Sequence, residues 1–233
     1  MTKIKLLQSL AFFAIAYGLT FIFNRFLPQI NLSGIDIKLI IVGFGPLLSG
    51  LICYQIFKTQ NNYQISFIGV RPVITYAIIG IAILLPILLI TKVSKEIIIF
   101  SIITQFIYSF GEEFGWRHYL LNLTNGMNKW VAPFFIGTIW FFWHYSLLDN
   151  PIKVITGQDI PIFVGIPITI LILSLLSFLW CDLTIKTKSI LIPTVAHSIT
   201  KYGDKTSILV VILLLLLLQI FWNKLKIGQG RIN

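Results

Sequence analysis

Two adjacent carboxylates, Glu112 and Glu113, stand inside a hydrophobic run, with Arg117 about one helical turn further on. His144 lies in the next long hydrophobic run, and His197 in a short one that contains Pro193. Ionisable side chains in apolar segments cost several kcal/mol unless paired or hydrated, so they mark function by default. On a helix Glu113 and Arg117 are i,i+4 and pair directly. Glu112 is turned about 100° away and escapes that neutralisation. Two neighbouring carboxylates in a low dielectric do not both ionise cheaply, so compensation of one by Arg117 leaves the other free to take up and release a proton. That is the property of a general base. His144 and His197 come from other segments, and each can hold a water, ligate a metal or donate to a developing oxyanion. Glu112, His144 and His197 are therefore also a candidate ligand set for zinc or another divalent ion. The same groups can hold water without a metal, and the residues leave both readings open.

The elements that carry these groups are membrane helices. Of 233 residues, 57% are hydrophobic and 11% charged, where a soluble domain carries about a quarter charged residues. Most of the surface therefore faces lipid. Runs long enough to cross a bilayer occur at Leu6–Phe26, Leu39–Phe57, Val73–Thr91, Ile97–Leu121, Trp130–Leu148, Ile162–Trp180 and Ile208–Trp222, with a shorter segment at Ser189–Lys201. The expectation is an all-α, polytopic membrane helical bundle of about eight transmembrane segments, including the short one that Pro193 starts within the membrane. No polar linker divides the chain, so residues 1–233 read as a single integral membrane domain. The first run lacks a convincing small-residue cleavage site and reads as a retained span. Pro46, Pro86 and Pro167 are expected to kink their spans. The tryptophans are expected mostly in interfacial belts or in packing, with Trp140 and Trp143 as candidates to line a cavity, and His118 at an interface without chemistry. Cys53 and Cys181 read as buried small hydrophobes.

The net charge of +10 does not imply nucleic acid, because the cations sit in twos and threes between apolar runs, where they meet lipid headgroups. More of the 18 Lys and Arg fall on the side of the N terminus than on the other, which puts both termini in the cytoplasm. At 1.5 Å per residue, Glu112 lies roughly 15 Å from Asn122, His144 about 21 Å from Trp130 and His197 roughly 11 Å from Ile190, all ends on that same side. These depths allow one site, expected to open towards the cytoplasmic leaflet.

Gly-Glu-Glu-Phe-Gly-Trp-Arg at 111–117 resembles the EExxxR motif of the CPBP family of intramembrane proteases, which includes CAAX prenyl endopeptidases, bacteriocin-processing proteins and Abi proteins. Trp-Phe-Phe-Trp-His at 140–144 is similar to the family's second motif, an aromatic residue four before a histidine. Ser-Ile-Leu-Ile-Pro-Thr-Val-Ala-His at 189–197 resembles the third. The similar region runs from about 96 to 201. The resemblance implies an eight-helix bundle around a water-accessible cavity, in which Glu112, helped by His144, activates water against a peptide carbonyl. Glu113 with Arg117 would orient the constellation, and His197 would stabilise the oxyanion. Four residues after the last histidine the family usually carries Asn; this chain has Lys201.

The function expected is thus a glutamate-dependent membrane endopeptidase with a peptide or membrane-protein substrate, in a prokaryotic plasma membrane. Two other classes use the same residues. A non-catalytic scaffold or immunity protein on this fold is favoured by Lys201. A small-solute or proton-coupled transporter would exploit the buried carboxylates, against the absence of an internal repeat.

Overall fold

The computed structural model describes residues 2–224. The cationic tail with Lys226 and Arg231, counted above towards the orientation, lies outside the described residues. Helix α1 (Lys3–Phe26) leads to a hairpin of β1 (Asn31–Leu32) and β2 (Ile35–Asp36). Its turn residues Ser33 and Gly34 have φ of 52° and 92°, the double positive φ that matches strand twist in a two-residue loop. Asp36 then caps α2 (Ile37–Phe57), its carboxylate accepting from Leu39 N at 2.9 Å. Next come α3 (Pro72–Leu89) and α4 (Lys95–Glu113). α4 continues through a π-helical turn at Phe114–Leu120 into α5 (Leu121–Leu123). The chain closes with α6 (Val131–Trp143), α7 (Pro151–Thr156), α8 (Ile162–Thr187), α9 (Leu191–Tyr202) and α10 (Lys205–Phe221).

The all-α membrane bundle is the fold found. Six helices are long and apolar enough to cross a bilayer, among them the continuous Lys95–Leu123. The other two expected segments are half-length: α6 has 13 residues before a 3-10 turn at His144–Ser146, and α9 has 12. α6 ends at the residue before its histidine, and α9 runs five residues beyond its own. Pro193 is the third residue of α9, where a missing N–H costs no helical bond. Pro46, Pro86 and Pro167 all lie inside helices. Outward apolar side chains such as Leu84, Leu88, Leu213 and Ile220 are exposed, as lipid-facing positions are.

The two ends of the bundle are tied differently. At the N-terminal face Lys5 Nζ donates to Asn125 O at 2.8 Å, and Ser66 and Ser189 form an isolated bridge. At the opposite face lie the hairpin, the α3–α4 turn, α7 and the α9–α10 junction. There Asn24 Nδ2 donates to Leu147 O at 3.1 Å.

One close approach positions the chemistry. Gly111 and Gly115 flank the two glutamates and turn towards α2. A Cβ on Gly111 would run into the Gly43 carbonyl, and one on Gly115 into Pro46. Small residues four apart let helix backbones come together where hydrocarbon supplies no hydrophobic drive between them.

Candidate active site

The π-helical turn directly follows Glu113, and such turns are frequent at functional sites. Glu112, Glu113 and Arg117 are fully buried, and His144 and His197 almost so. Glu113 and Arg117 pair as the i,i+4 spacing requires, Nε to Oε2 at 3.1 Å and Nη1 to Oε1 at 3.2 Å. Arg117 also donates from Nη2 to Ser177 Oγ at 3.2 Å. Its guanidinium sits 4.8 Å from the Trp140 ring centre and 5.1 Å from that of Trp180. A charge held so firmly in the bilayer core acts as a fixed part of the scaffold.

Glu113 in turn orients His197. Its Oε1 lies 2.8 Å from His197 Nδ1, and a carboxylate oxygen only accepts, so Nδ1 carries a proton. The imidazole stacks on Trp180, with ring centres 5.2 Å apart and planes 20° apart, and meets the Trp140 ring edge-on. His197 Nε2 is thereby directed to Glu112, 3.9 Å from its Oε1.

Glu112 is held from its other oxygen. Oε2 accepts from Trp140 Nε1 at 2.7 Å and from Trp116 Nε1 at 3.4 Å, while Oε1 has no hydrogen-bond partner among the described residues. His144 bonds through Nδ1 to the Trp140 carbonyl at 2.8 Å. A carbonyl only accepts, so in the neutral imidazole Nδ1 carries the hydrogen and Nε2 is an acceptor. These are the attributes of a base.

A cavity of about 410 Å³ meets this cluster. Tyr108, Trp140, His144, Trp180 and His197 form its inner wall, and Glu112 lies behind that wall, bonded to Trp140. The outer part is lined by Leu39, Leu148, Val154, Ile155, Thr200 and Lys201. All of these belong to the hairpin end of the bundle. The cavity therefore opens at the face opposite the N terminus, contrary to the expectation of a site opening on the N-terminal side. The distances along single helices were compatible with one depth, but they carried no information on which flank is left open. The segments that close the N-terminal side are the paired loops around Ser66 and Ser189 and the π-helical turn.

The structure brings all five expected site residues together. The proposed ligand set is different: among the described residues no group of three or more His, Cys, Asp or Glu side chains is arranged to hold a metal ion. One oxygen of Glu112 is taken up by Trp140, and Glu113 is shared between Arg117 and His197.

Trp140 lines the cavity, as the sequence reading allowed, but that reading missed the indoles as partners of the site. Trp116, Trp140, Trp143 and Trp180 are buried, whereas Trp130 is exposed. The first two bind Glu112, Trp143 donates to Thr20 Oγ1 at 3.1 Å, and Trp180 stacks on His197. The signal was present in the spacing, because Trp116 is i,i+4 to Glu112 and Trp140 is i,i+4 to His144. His118 is not a bare interfacial residue either: it stacks on Phe114 and meets Tyr54 OH at 3.0 Å. Cys53 and Cys181 are free and buried.

Comparison with known proteins bears on these same elements. Residues 94–203 match a family model described as Rce1-like, type II CAAX prenyl endopeptidase. The matched stretch runs from the cap of α4 through α9 and contains all five site residues. It is consistent with a protease of the CPBP family and supports, at the family level, a CAAX-type intramembrane protease. No curated protein matches the chain.

Proposed function

We propose, with an Rce1-like domain at residues 94–203 as the premise, that this protein is a glutamate-dependent intramembrane endopeptidase. The observation that carries the reading is the free oxygen of Glu112, buried, unpartnered and 3.9 Å from His197 Nε2. That separation is too long for a direct hydrogen bond and suits a water held by both groups. An unmet buried acceptor costs about 1–3 kcal/mol, which a bound water would relieve.

In this mechanism a water oriented by Glu112 Oε1, with His144 Nε2 facing the cavity, attacks the scissile carbonyl. The water's proton passes to the glutamate–histidine pair. His197 presents Nε2 to the oxyanion and is its donor when that nitrogen carries a proton. Collapse of the tetrahedral intermediate breaks the C–N bond, and the leaving amine takes up the proton from the base. Glu113 and Arg117 touch no substrate; they are positioning residues that fix His197 and the aromatic wall. Because the donor set is not gathered around one point, no step is routed through a metal.

The N-terminal face carries more of the Lys and Arg, so it is assigned to the cytoplasm of a prokaryotic plasma membrane. The cavity then opens to the outer leaflet, not the cytoplasmic one. The substrate is a peptide or a membrane protein that reaches the cavity from that side. Cleavage of a peptide library by nanodisc-reconstituted protein, wild type beside Glu112→Gln and His144→Phe, tests the reading. The expected result is a loss of about 10²–10⁴-fold in each variant, with wild-type activity unchanged by chelators. Glu112→Gln cleaving at the wild-type rate would refute it, and would favour a binding protein on the same fold.

A further inference from the structure

Lys201 follows His197 by four residues on α9, and both line the cavity. Among the lining residues it alone carries a permanent charge. Its side chain is exposed, and its ammonium lies 5.4 Å from the centre of the Tyr108 ring. None of the ion pairs among the described residues involves it. Asp204, three residues on, is engaged instead by Thr206 N, Ser207 N and the Ser207 hydroxyl. The rest of the outer wall is apolar apart from Gln105 and Thr200. A cation at the entrance to a cavity with low-dielectric walls selects for one sign of charge.

We propose that Lys201 is a specificity-determining residue that binds a carboxylate of the substrate. The proposal rests on the peptidase reading of the same site. Four helical residues place Lys201 about 6 Å along the α9 axis from His197, towards the mouth. An extended peptide advances about 3.3 Å per residue. The bound carboxylate therefore lies roughly two residues from the scissile carbonyl. It is either an acidic side chain or the free C terminus of the substrate.

The test uses the full chain in nanodiscs and matched peptides around a cleavage site mapped by mass spectrometry. One pair has Glu or Gln two residues from the cut, with an amidated C terminus. A second pair has a free or amidated C terminus two residues from the cut and no acidic side chain. Wild type is expected to prefer the carboxylate member of one pair by at least about tenfold in kcat/KM, and which pair shows it identifies the source. Lys201→Arg keeps that preference, Lys201→Met abolishes it, and Lys201→Glu reverses it towards Lys-containing peptides. Equal cleavage within both pairs by wild type overturns the proposal and leaves the peptidase standing. An equal loss on all peptides in Lys201→Met also overturns it, since a donor to the oxyanion acts on every substrate alike. Should no peptide be cleaved, binding of the same fluorescent pairs is measured. A tenfold carboxylate preference lost in Lys201→Met upholds the subsite while overturning the peptidase, and equal binding overturns the subsite.

Discussion

Glu112 and Glu113 are adjacent and equally buried, yet conversion of each to Gln has opposite consequences. Glu113 accepts from Arg117 Nη1, sits 3.1 Å from Arg117 Nε, and orients His197 Nδ1 at 2.8 Å. An amide in its place keeps one acceptor and turns a donor towards the guanidinium, so Arg117 is left as a buried charge without its counter-ion. Breaking a buried pair in this way costs about 3–5 kcal/mol. Glu112 accepts from two neutral indoles and forms no close ion pair with Arg or Lys among the described residues, and the carbonyl oxygen of Gln can still accept the one at 2.7 Å. The expected cost there is no more than about 1 kcal/mol. For a chain of this length a kcal/mol corresponds to roughly 2–4 °C in Tm. Glu113→Gln should therefore melt roughly 6–20 °C below wild type, and Glu112→Gln within about 4 °C of it. Tryptophan fluorescence during thermal unfolding in detergent, with peptide cleavage measured on the same samples, separates the two. Glu112→Gln is expected to be stable and inactive, and Glu113→Gln unstable. Equal melting temperatures for the two variants would refute the division of labour between a reacting and a positioning carboxylate.

Two further perturbations probe the surroundings. Trp140→Phe keeps a ring beside Arg117 and His197 but removes the 2.7 Å donor to Glu112. Peptide cleavage should fall about 10–100-fold in kcat while the protein stays folded, because a hydrogen bond to a charged group is worth about 1.5–3 kcal/mol; unchanged kcat would show that the indole only packs. Gly111→Ala puts a methyl against the Gly43 carbonyl, and overpacking of this kind costs about 1–3 kcal/mol. Its Tm should drop together with activity as α4 is pushed away from α2, whereas Gly80→Ala, which meets nothing within 4 Å, should leave both intact.

The bundle was legible because hydropathy reads directly as membrane helices, and the site because ionisable residues are so scarce in apolar runs that each one needs a reason. The Glu113–Arg117 pair followed from helical periodicity alone, and the structure has it. The half-length of α6 was hidden because the run from Trp130 to Leu148 stays apolar past the helix end at Trp143. Composition measures solvent, not backbone. The hairpin at Asn31–Asp36 is too short to leave a periodic signal. The tryptophans were assigned to interfacial belts or packing on average habit, although an indole carries a donor that a buried carboxylate needs when water is scarce.

The direction of the cavity shows most clearly what one-dimensional reasoning lacks. Depth along a helix is a property of one segment, whereas an opening is a property of what the neighbouring segments fail to fill. At the N-terminal end the filling is done by main-chain pairing, with Ser66 N donating to Lys188 O at 2.8 Å and Ile190 N donating to Ser66 O at 2.9 Å. At the other end α6 and α9 stop short, and the short α7 with the turn before it supplies apolar walls without a plug. Two half-length helices thus do two things at once: each delivers a histidine to the buried glutamates, and their missing halves leave the path by which a substrate reaches them. Lys201 sits at the end of one of them, where a side chain belongs to the entrance as much as to the site. That position is why its charge reads as a filter on what enters and not as a defect in the catalytic cluster.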